Sequence, residues 1–161
     1  MGKSRQKLFA GLPLAILSLM AALLLNSCTL PKIVFIDDSL TAEQHNDLGY
    51  VYEQKGIFDL AEKEYLLAVQ KRKDWHIPYF NLGNLIFKMG DYKKSETFFR
   101  SALSHAPNNP DVMNNLGNAL MMQRRYKDAR LMIEKALIIE KRQEYLDSLE
   151  AIEKLEGKAS P

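Results

Sequence analysis

HIPYFNLGNLIFKMGDYKKSETFFRSALSHAPNN, residues 76–109, is a 34-residue unit whose landmarks recur on both sides of it. Leu82-Gly83 lies 34 residues after Leu48-Gly49 and 34 before Leu116-Gly117. The same step joins Phe58, Tyr92 and Tyr126; Ala61, Ser95 and Ala129; Tyr65, Phe99 and Ile133; and Ala68, Ala102 and Ala136. Five columns in one register define three units, 42–75, 76–109 and 110–143. A period of this length marks a repeat architecture, in which one unit cannot bury its apolar face alone and neighbours must stack.

Each unit is expected to be two antiparallel helices joined by a short turn. Gly49, Gly83 and Gly117 fall in mid-helix, where glycine costs up to about 1 kcal/mol relative to alanine. That cost is tolerable where a neighbouring helix comes too close for a side chain. The small residues at 61, 95 and 129 and at 68, 102 and 136 serve the same close approach from the second helix. Tyr65, Phe99 and Ile133 are expected to fill the space between successive pairs. Thr41-Ala42-Glu43-Gln44 reads as a capping box. Gly56 and Gly90 close first helices where a left-handed residue is wanted. Asp91 and Asn109 are N-cap candidates, with Pro110 at the first helical position. Arg124 stands where the third unit should have its turn glycine, which predicts a strained or altered turn there.

The 34-residue period and the Leu-Gly, aromatic, Ala, aromatic, Ala order resemble the tetratricopeptide repeat family. The resemblance implies an all-α fold, a right-handed superhelical stack of three helix hairpins. An amphipathic stretch over 144–156 reads as a capping helix on the open end of the stack. Residues 157–161 read as a frayed tail.

In that family the first helix of each pair lines a concave surface that holds a protein segment. The positions here are Asn46 and Tyr50; Phe80, Asn81, Asn84 and Phe87; and Asn114, Asn115, Asn118 and Met121. An amide carries both donor and acceptor, so a row of them suits the backbone of an extended peptide. Phe80, Phe87 and Met121 would supply apolar pockets. Asparagine is a poor helix former, so five on two helices need a reason: either a peptide groove, or amides pairing with each other or with water. One subfamily grips chaperone carboxyl ends with a basic clamp of Lys, Asn, Asn, Lys and Arg. Here Asn46 and Tyr50 stand at the first pair, Asn81 fits, and Asp111 and Asn115 replace the last two cations, so the clamp is absent. With Glu43, Glu53 and Asp111 nearby, a neutral or basic ligand is expected.

Ahead of the repeats, Lys3, Arg5 and Lys7 are the only charges before Cys28, and residues 8–25 are uncharged and strongly apolar. A basic start, an apolar core and a small residue at the cut describe a signal peptide, residues 1–27. Leu25-Asn26-Ser27-Cys28 resembles the lipobox of bacterial lipoproteins, although Asn26 departs from the usual small residue. The resemblance implies cleavage before Cys28, acylation of that cysteine, and sorting by Thr29 to the periplasmic face of the outer membrane. Inner-membrane anchoring facing the periplasm is the alternative, as is an uncleaved transmembrane helix. Residues 28–41 would then be a tether reaching at most about 45 Å. Its β-branched and aromatic run, 33–36, either packs on a repeat or adds a strand to a partner.

Removing the three leader cations from 22 leaves 19 basic against 20 acidic residues. A near-neutral body gives no electrostatic footprint for nucleic acid. One cysteine allows neither an internal disulfide nor a multi-cysteine metal site. No glycine-rich phosphate loop and no nucleophile beside a base stand out; His45, His76 and His105 are isolated. No enzyme activity, cofactor or metal is expected. The reading is a binding scaffold for a peptide or helix of an envelope protein. A self-associating module whose array ends stack is one alternative. An accessory subunit of an envelope peptidase or hydrolase is another.

Overall fold

The computed structural model describes residues 38–159. The expected leader, Cys28, the 33–36 run and the final two residues lie outside the described part.

Seven helices follow in order, with no strand among the described residues: α1 (Ala42–Gln54), α2 (Phe58–Lys71), α3 (His76–Lys88), α4 (Tyr92–His105), α5 (Pro110–Met122), α6 (Tyr126–Ile139) and α7 (Gln143–Ala159). They form hairpins α1–α2, α3–α4 and α5–α6, each packed on the next through its second helix, with α7 against α5 and α6. The helices start where the sequence signals place them. The Thr41 hydroxyl accepts from Gln44 N while the Gln44 side chain accepts from Thr41 N, closing the capping box. Asp91 accepts from Lys94 N and Asn109 from Val112 N, each satisfying an orphan donor of a first turn.

The mid-helix glycines are explained within each hairpin. A Cβ on Gly49 would sit 2.6 Å from Tyr65 Cδ1, one on Gly83 2.5 Å from Phe99 Cδ1, and one on Gly117 2.5 Å from Ile133 Cγ1. Tyr65, Phe99 and Ile133 therefore lie across the glycine of their own repeat, and do not simply fill the gap between pairs. The first two also reach forward: Tyr65 joins a cluster with Leu82 and Leu85, and Phe99 one with Val112 and Leu116. One column thus cements the hairpin and its junction with the next.

The three inner turns are built alike. Ile57, Asp91 and Arg125 each donate a backbone N–H to the carbonyl five residues earlier, at 2.9, 3.2 and 3.0 Å. The residue before each is left-handed: Gly56 at φ 71°, Gly90 at φ 86° and Arg124 at φ 61°. The third turn keeps its shape without a glycine, at the cost of holding a side-chain-bearing residue in that region.

The two ends of the array differ. In repeats two and three the first-helix stripes Pro78, Leu82 and Leu85 and Val112, Leu116 and Ala119 are all buried, and Leu82 and Leu85 cluster with Ala61 and Tyr65 of the preceding repeat. α7 begins 33 residues after α5, not 34, so that stripe continues as Tyr145, Leu149 and Ile152 against the core, while Glu150 and Lys154 are exposed and pair with each other at 2.7 Å. Among the described residues no helix follows α7; its charged side lies at the surface, while Tyr145 and Ile152 are fully buried on the other. The expected capping role holds. The frayed tail does not begin at Gly157, because α7 continues through Ala159.

Candidate protein-binding groove

The first helices α1, α3 and α5 bring the amides together across repeats. Asn81 Nδ2 donates to Asn46 Oδ1 at 2.8 Å, and Asn115 Nδ2 donates to Asn84 Oδ1 at 2.8 Å. Asn114 Nδ2 reaches Asn115 Oδ1 at 3.3 Å. In each inter-repeat bond the donor is the column of Asn81 and Asn115. The acceptor shifts from Asn46 to Asn84 because Phe80 stands where Asn46's equivalent would be.

The amides fall into two groups. Asn46 and Asn114 are buried, 8% and 7% exposed, and act inside the stack. Asn114 Oδ1 is buried without a hydrogen-bond partner. Asn46 Oδ1 is satisfied by Asn81 of the next first helix, whereas Asn114 Oδ1 receives no such bond from α7. Asn81, Asn84, Asn115 and Asn118 are half-buried at the surface. With Asn84 Oδ1 already accepting, its Nδ2 remains as donor, and Asn118 offers both functions.

Asn84, Asn115 and Asn118 rim a pocket of about 130 Å³ whose apolar lining is Phe87 and Phe99. Phe99 is 1% exposed and forms its floor. Phe80 tilts against Phe99 with ring centroids 6.0 Å apart, and Phe87 meets Tyr92 edge-on at 5.2 Å. Phe80, Phe87 and Met121 are thus partly buried walls packed on the core. Tyr50, at the α1 end, is 56% exposed.

The acidic residues expected to colour the groove are each neutralised. Glu43 pairs with Arg72. Glu53 pairs with Lys88 and accepts from the Tyr65 hydroxyl at 2.8 Å. Asp111 pairs with Arg142 and accepts from the Tyr145 hydroxyl at 2.8 Å. Burial, then the bond to Glu53, pushes the Tyr65 phenol well above its ordinary range, so it stays a donor. The expectation of a basic ligand loses its footing, because no carboxylate in that set is left without a cation. Lys88 and Arg142 are likewise occupied.

Two polar features escaped the sequence. His45 is buried, 2% exposed, with Nδ1 2.7 Å from Glu64 Oε2. His45 is therefore not the isolated residue that the sequence alone suggests. The signal lay in the columns: its equivalents are Tyr79 and Met113, and those of Glu64 are Phe98 and Met132, so a polar pair replaces two apolar ones. On the second helices, the column Glu62, Glu96 and Arg130 stitches each unit to its successor. Glu62 pairs with Lys94, Glu96 takes both oxygens to Arg125 at 2.9 Å, and Arg130 pairs with Glu153 and Glu156. Burial raises the Glu96 pKa, but hydrogen bonds from Gln123, Arg100 and Arg125 outweigh it and hold the carboxyl below its ordinary value.

Among the described residues no group of three His, Cys, Asp or Glu side chains is placed to hold a metal ion. Among them, too, no helix is long and apolar enough to cross a membrane.

A sequence profile described as a tetratricopeptide repeat matches residues 87–152. Human "Tetratricopeptide repeat protein 6" is 31% identical over 77 residues, 48% of this chain and 15% of that protein. The chain therefore spans a small part of that relative's length. Among solved structures, the fold is similar to the first TPR of Spaghetti (RPAP3) bound to an HSP90 peptide. The TM-score is 0.70 at 18% identity, covering 74% of this chain and 96% of that one. The Arabidopsis OM64 TPR domain gives a TM-score of 0.68 at 17% identity, covering 71% and 95%. The second TPR domain of human RPAP3, in complex with an HSP70 peptide, gives 0.67 at 17% identity, covering 70% and 94%.

Proposed function

Because this chain carries a tetratricopeptide-repeat array, we propose that it is a non-enzymatic scaffold that holds a peptide segment or helix of an envelope protein against its first-helix face. The observation that carries this reading is the pocket between α3 and α5, apolar at its floor and rimmed by amides with hydrogen-bonding capacity to spare. An engineered cavity of about 150 Å³ holds benzene, so the smaller pocket here suits one branched aliphatic side chain. Asn84 Nδ2 would donate to a backbone carbonyl of the same segment, and Asn118 would accept an N–H. Peptides are bound by two of the similar domains, each from a heat-shock protein. Here the cations near the groove are already paired, so an acidic tail is not the ligand; a neutral, aliphatic segment is.

The proposed setting is the periplasmic face of the outer membrane, or alternatively the inner membrane facing the periplasm, with Cys28 acylated. The lipobox-like sequence before Cys28 supports it. Two or three acyl chains would anchor stably where one would not.

The test is Asn84→Ala combined with Asn118→Ala. Partner capture falls, while stability stays within about 1 kcal/mol of the parent, because both side chains are only half-buried and the one bond lost, from Asn115 to Asn84, is between neutral amides. Unchanged capture, or a large loss of stability, would show these amides to be structural.

A further inference from the structure

We propose that the exposed stripe of α1 pairs two copies of this chain, α1 lying antiparallel to α1 of the second copy with the two-fold axis beside Val51. This goes beyond the groove reading and does not rest on it.

The stripe is the part of the first helix that later repeats bury. The equivalents of Gln44 are Pro78 and Val112, those of Leu48 are Leu82 and Leu116, and those of Val51 are Leu85 and Ala119; every one is buried. Among the described residues no helix precedes α1. Leu48 is half-buried and Val51 is 44% exposed. The contrast with the other end matters. There the stripe Val112, Leu116 and Ala119 continues, 33 residues on, as Tyr145, Leu149 and Ile152 packed on the core, and the other side of α7 carries exposed Glu150, Glu153 and Lys154, the first and last of them paired. Head-to-tail stacking would press an apolar stripe onto an ion pair. Pairing the α1 ends with each other does not.

Charge fixes the direction. Asp47 and Lys55 flank Val51 at four residues on either side. Asp47, Val51 and Lys55 form one ridge of the i, i+4 kind, and interdigitated ridges of that kind are the commonest helix packing. Each charge lies about 6 Å along the axis from Val51. In an antiparallel pair crossing at Val51, Asp47 of each copy meets Lys55 of the other, twice by symmetry. A parallel pair would set Asp47 on Asp47 and Lys55 on Lys55. Neither residue has an ion-pair partner among the described residues, so both are available. The crossing of two such helices is smaller than a standard interface of about 1,600 Å². The pairing is therefore weak and depends on concentration, and it leaves the pocket between α3 and α5 open.

The test uses the full chain with Cys28→Ser, so that an added cysteine is the sole thiol. Helix axes about 8–10 Å apart, with Cα atoms at a radius of about 2.3 Å, leave facing Cα atoms roughly 3.4–5.4 Å apart. That overlaps the span of about 4.4–6.8 Å that a disulfide bridges. Under mild oxidation Val51→Cys forms a covalent dimer about tenfold faster than Leu131→Cys, a control at an exposed site on α6. Adding Asp47→Lys to Val51→Cys slows dimer formation about tenfold, since two attractions become repulsions. Adding Lys55→Asp as well restores it, which also shows that the altered chains fold. Equal dimer yields from Val51→Cys and Leu131→Cys would overturn the proposal. So would a failure of the double charge exchange to restore pairing. A monomeric Val51→Cys chain whose thiol resists modification would also overturn it, because something other than a second copy would then cover the stripe.

Discussion

Replacing Gly83 by alanine adds one methyl group to the middle of α3, and the structure fixes what that methyl meets. The new Cβ lies 2.5 Å from Phe99 Cδ1, whereas carbon atoms prefer about 3.5–4.0 Å. The ring must move by about 1 Å or more, and it has little room. Phe99 is 1% exposed, Phe80 leans on it from the groove side, and Ser95 Oγ donates to Gly83 O at 2.8 Å, tying α4 to α3. Overpacking of this kind costs about 1–3 kcal/mol, and alanine returns up to about 1 kcal/mol in helix propensity. The net loss is about 1–2 kcal/mol, read as a lower urea midpoint. Gly157 is the internal control: it is also helical, but nothing lies within 4 Å of its Cβ position. Gly157→Ala leaves stability equal or raises it by up to about 1 kcal/mol. Combining Gly83→Ala with Phe99→Leu recovers part of the loss, because the smaller side chain yields space. A Gly83→Ala chain as stable as the parent would refute the close approach of helix and ring.

Other outcomes follow from single sites. Asn114→Leu raises stability by up to about 1 kcal/mol, because it removes an acceptor that nothing satisfies; a loss of that size in urea denaturation would mean Oδ1 has a partner. Glu96 makes the array acid-sensitive in a definite direction. Its carboxyl titrates below the ordinary 4.5 when folded, so its contribution is complete above that pH and fades as pH falls through the lower folded value. Thermal melts at descending pH should show Glu96→Gln less stable than the parent near neutrality and the gap closing in acid; a gap independent of pH would discount the carboxylate. Cys28→Ser moves the chain out of the membrane fraction and abolishes fatty-acid labelling; retention of both would remove the proposed anchor.

The repeat units were legible because one contact recurs three times. A ring or branched side chain crossing a glycine leaves the same two residue types at the same spacing in each unit, as Gly49–Tyr65, Gly83–Phe99 and Gly117–Ile133 do. Caps were legible because their chemistry is local: Thr41, Asp91 and Asn109 act on residues three ahead. The amide row was visible as composition, but its pairing was not. Which acceptor Asn81 or Asn115 finds depends on the neighbouring repeat, and Phe80 shifts it by one turn. The neutral character of the groove was hidden for a similar reason. Arg72, Lys88 and Arg142, which cancel the acids, come from other helices or from the approach to α7, outside any column shared with Glu43, Glu53 and Asp111. Identical periodic contacts can be read from one chain; unique contacts between columns need the packing itself.

The most direct measurement on the central claim places a photoreactive side chain, one position at a time, on the first helices and on the second helices, in intact cells. At Asn84, Asn118 and Met121 it should capture the same envelope protein, and at the exposed Lys93 and Lys127 of the second helices it should not. Capture of that protein from Lys93 and Lys127, with none from Asn84 or Asn118, would put the partner on the opposite face and contradict the account.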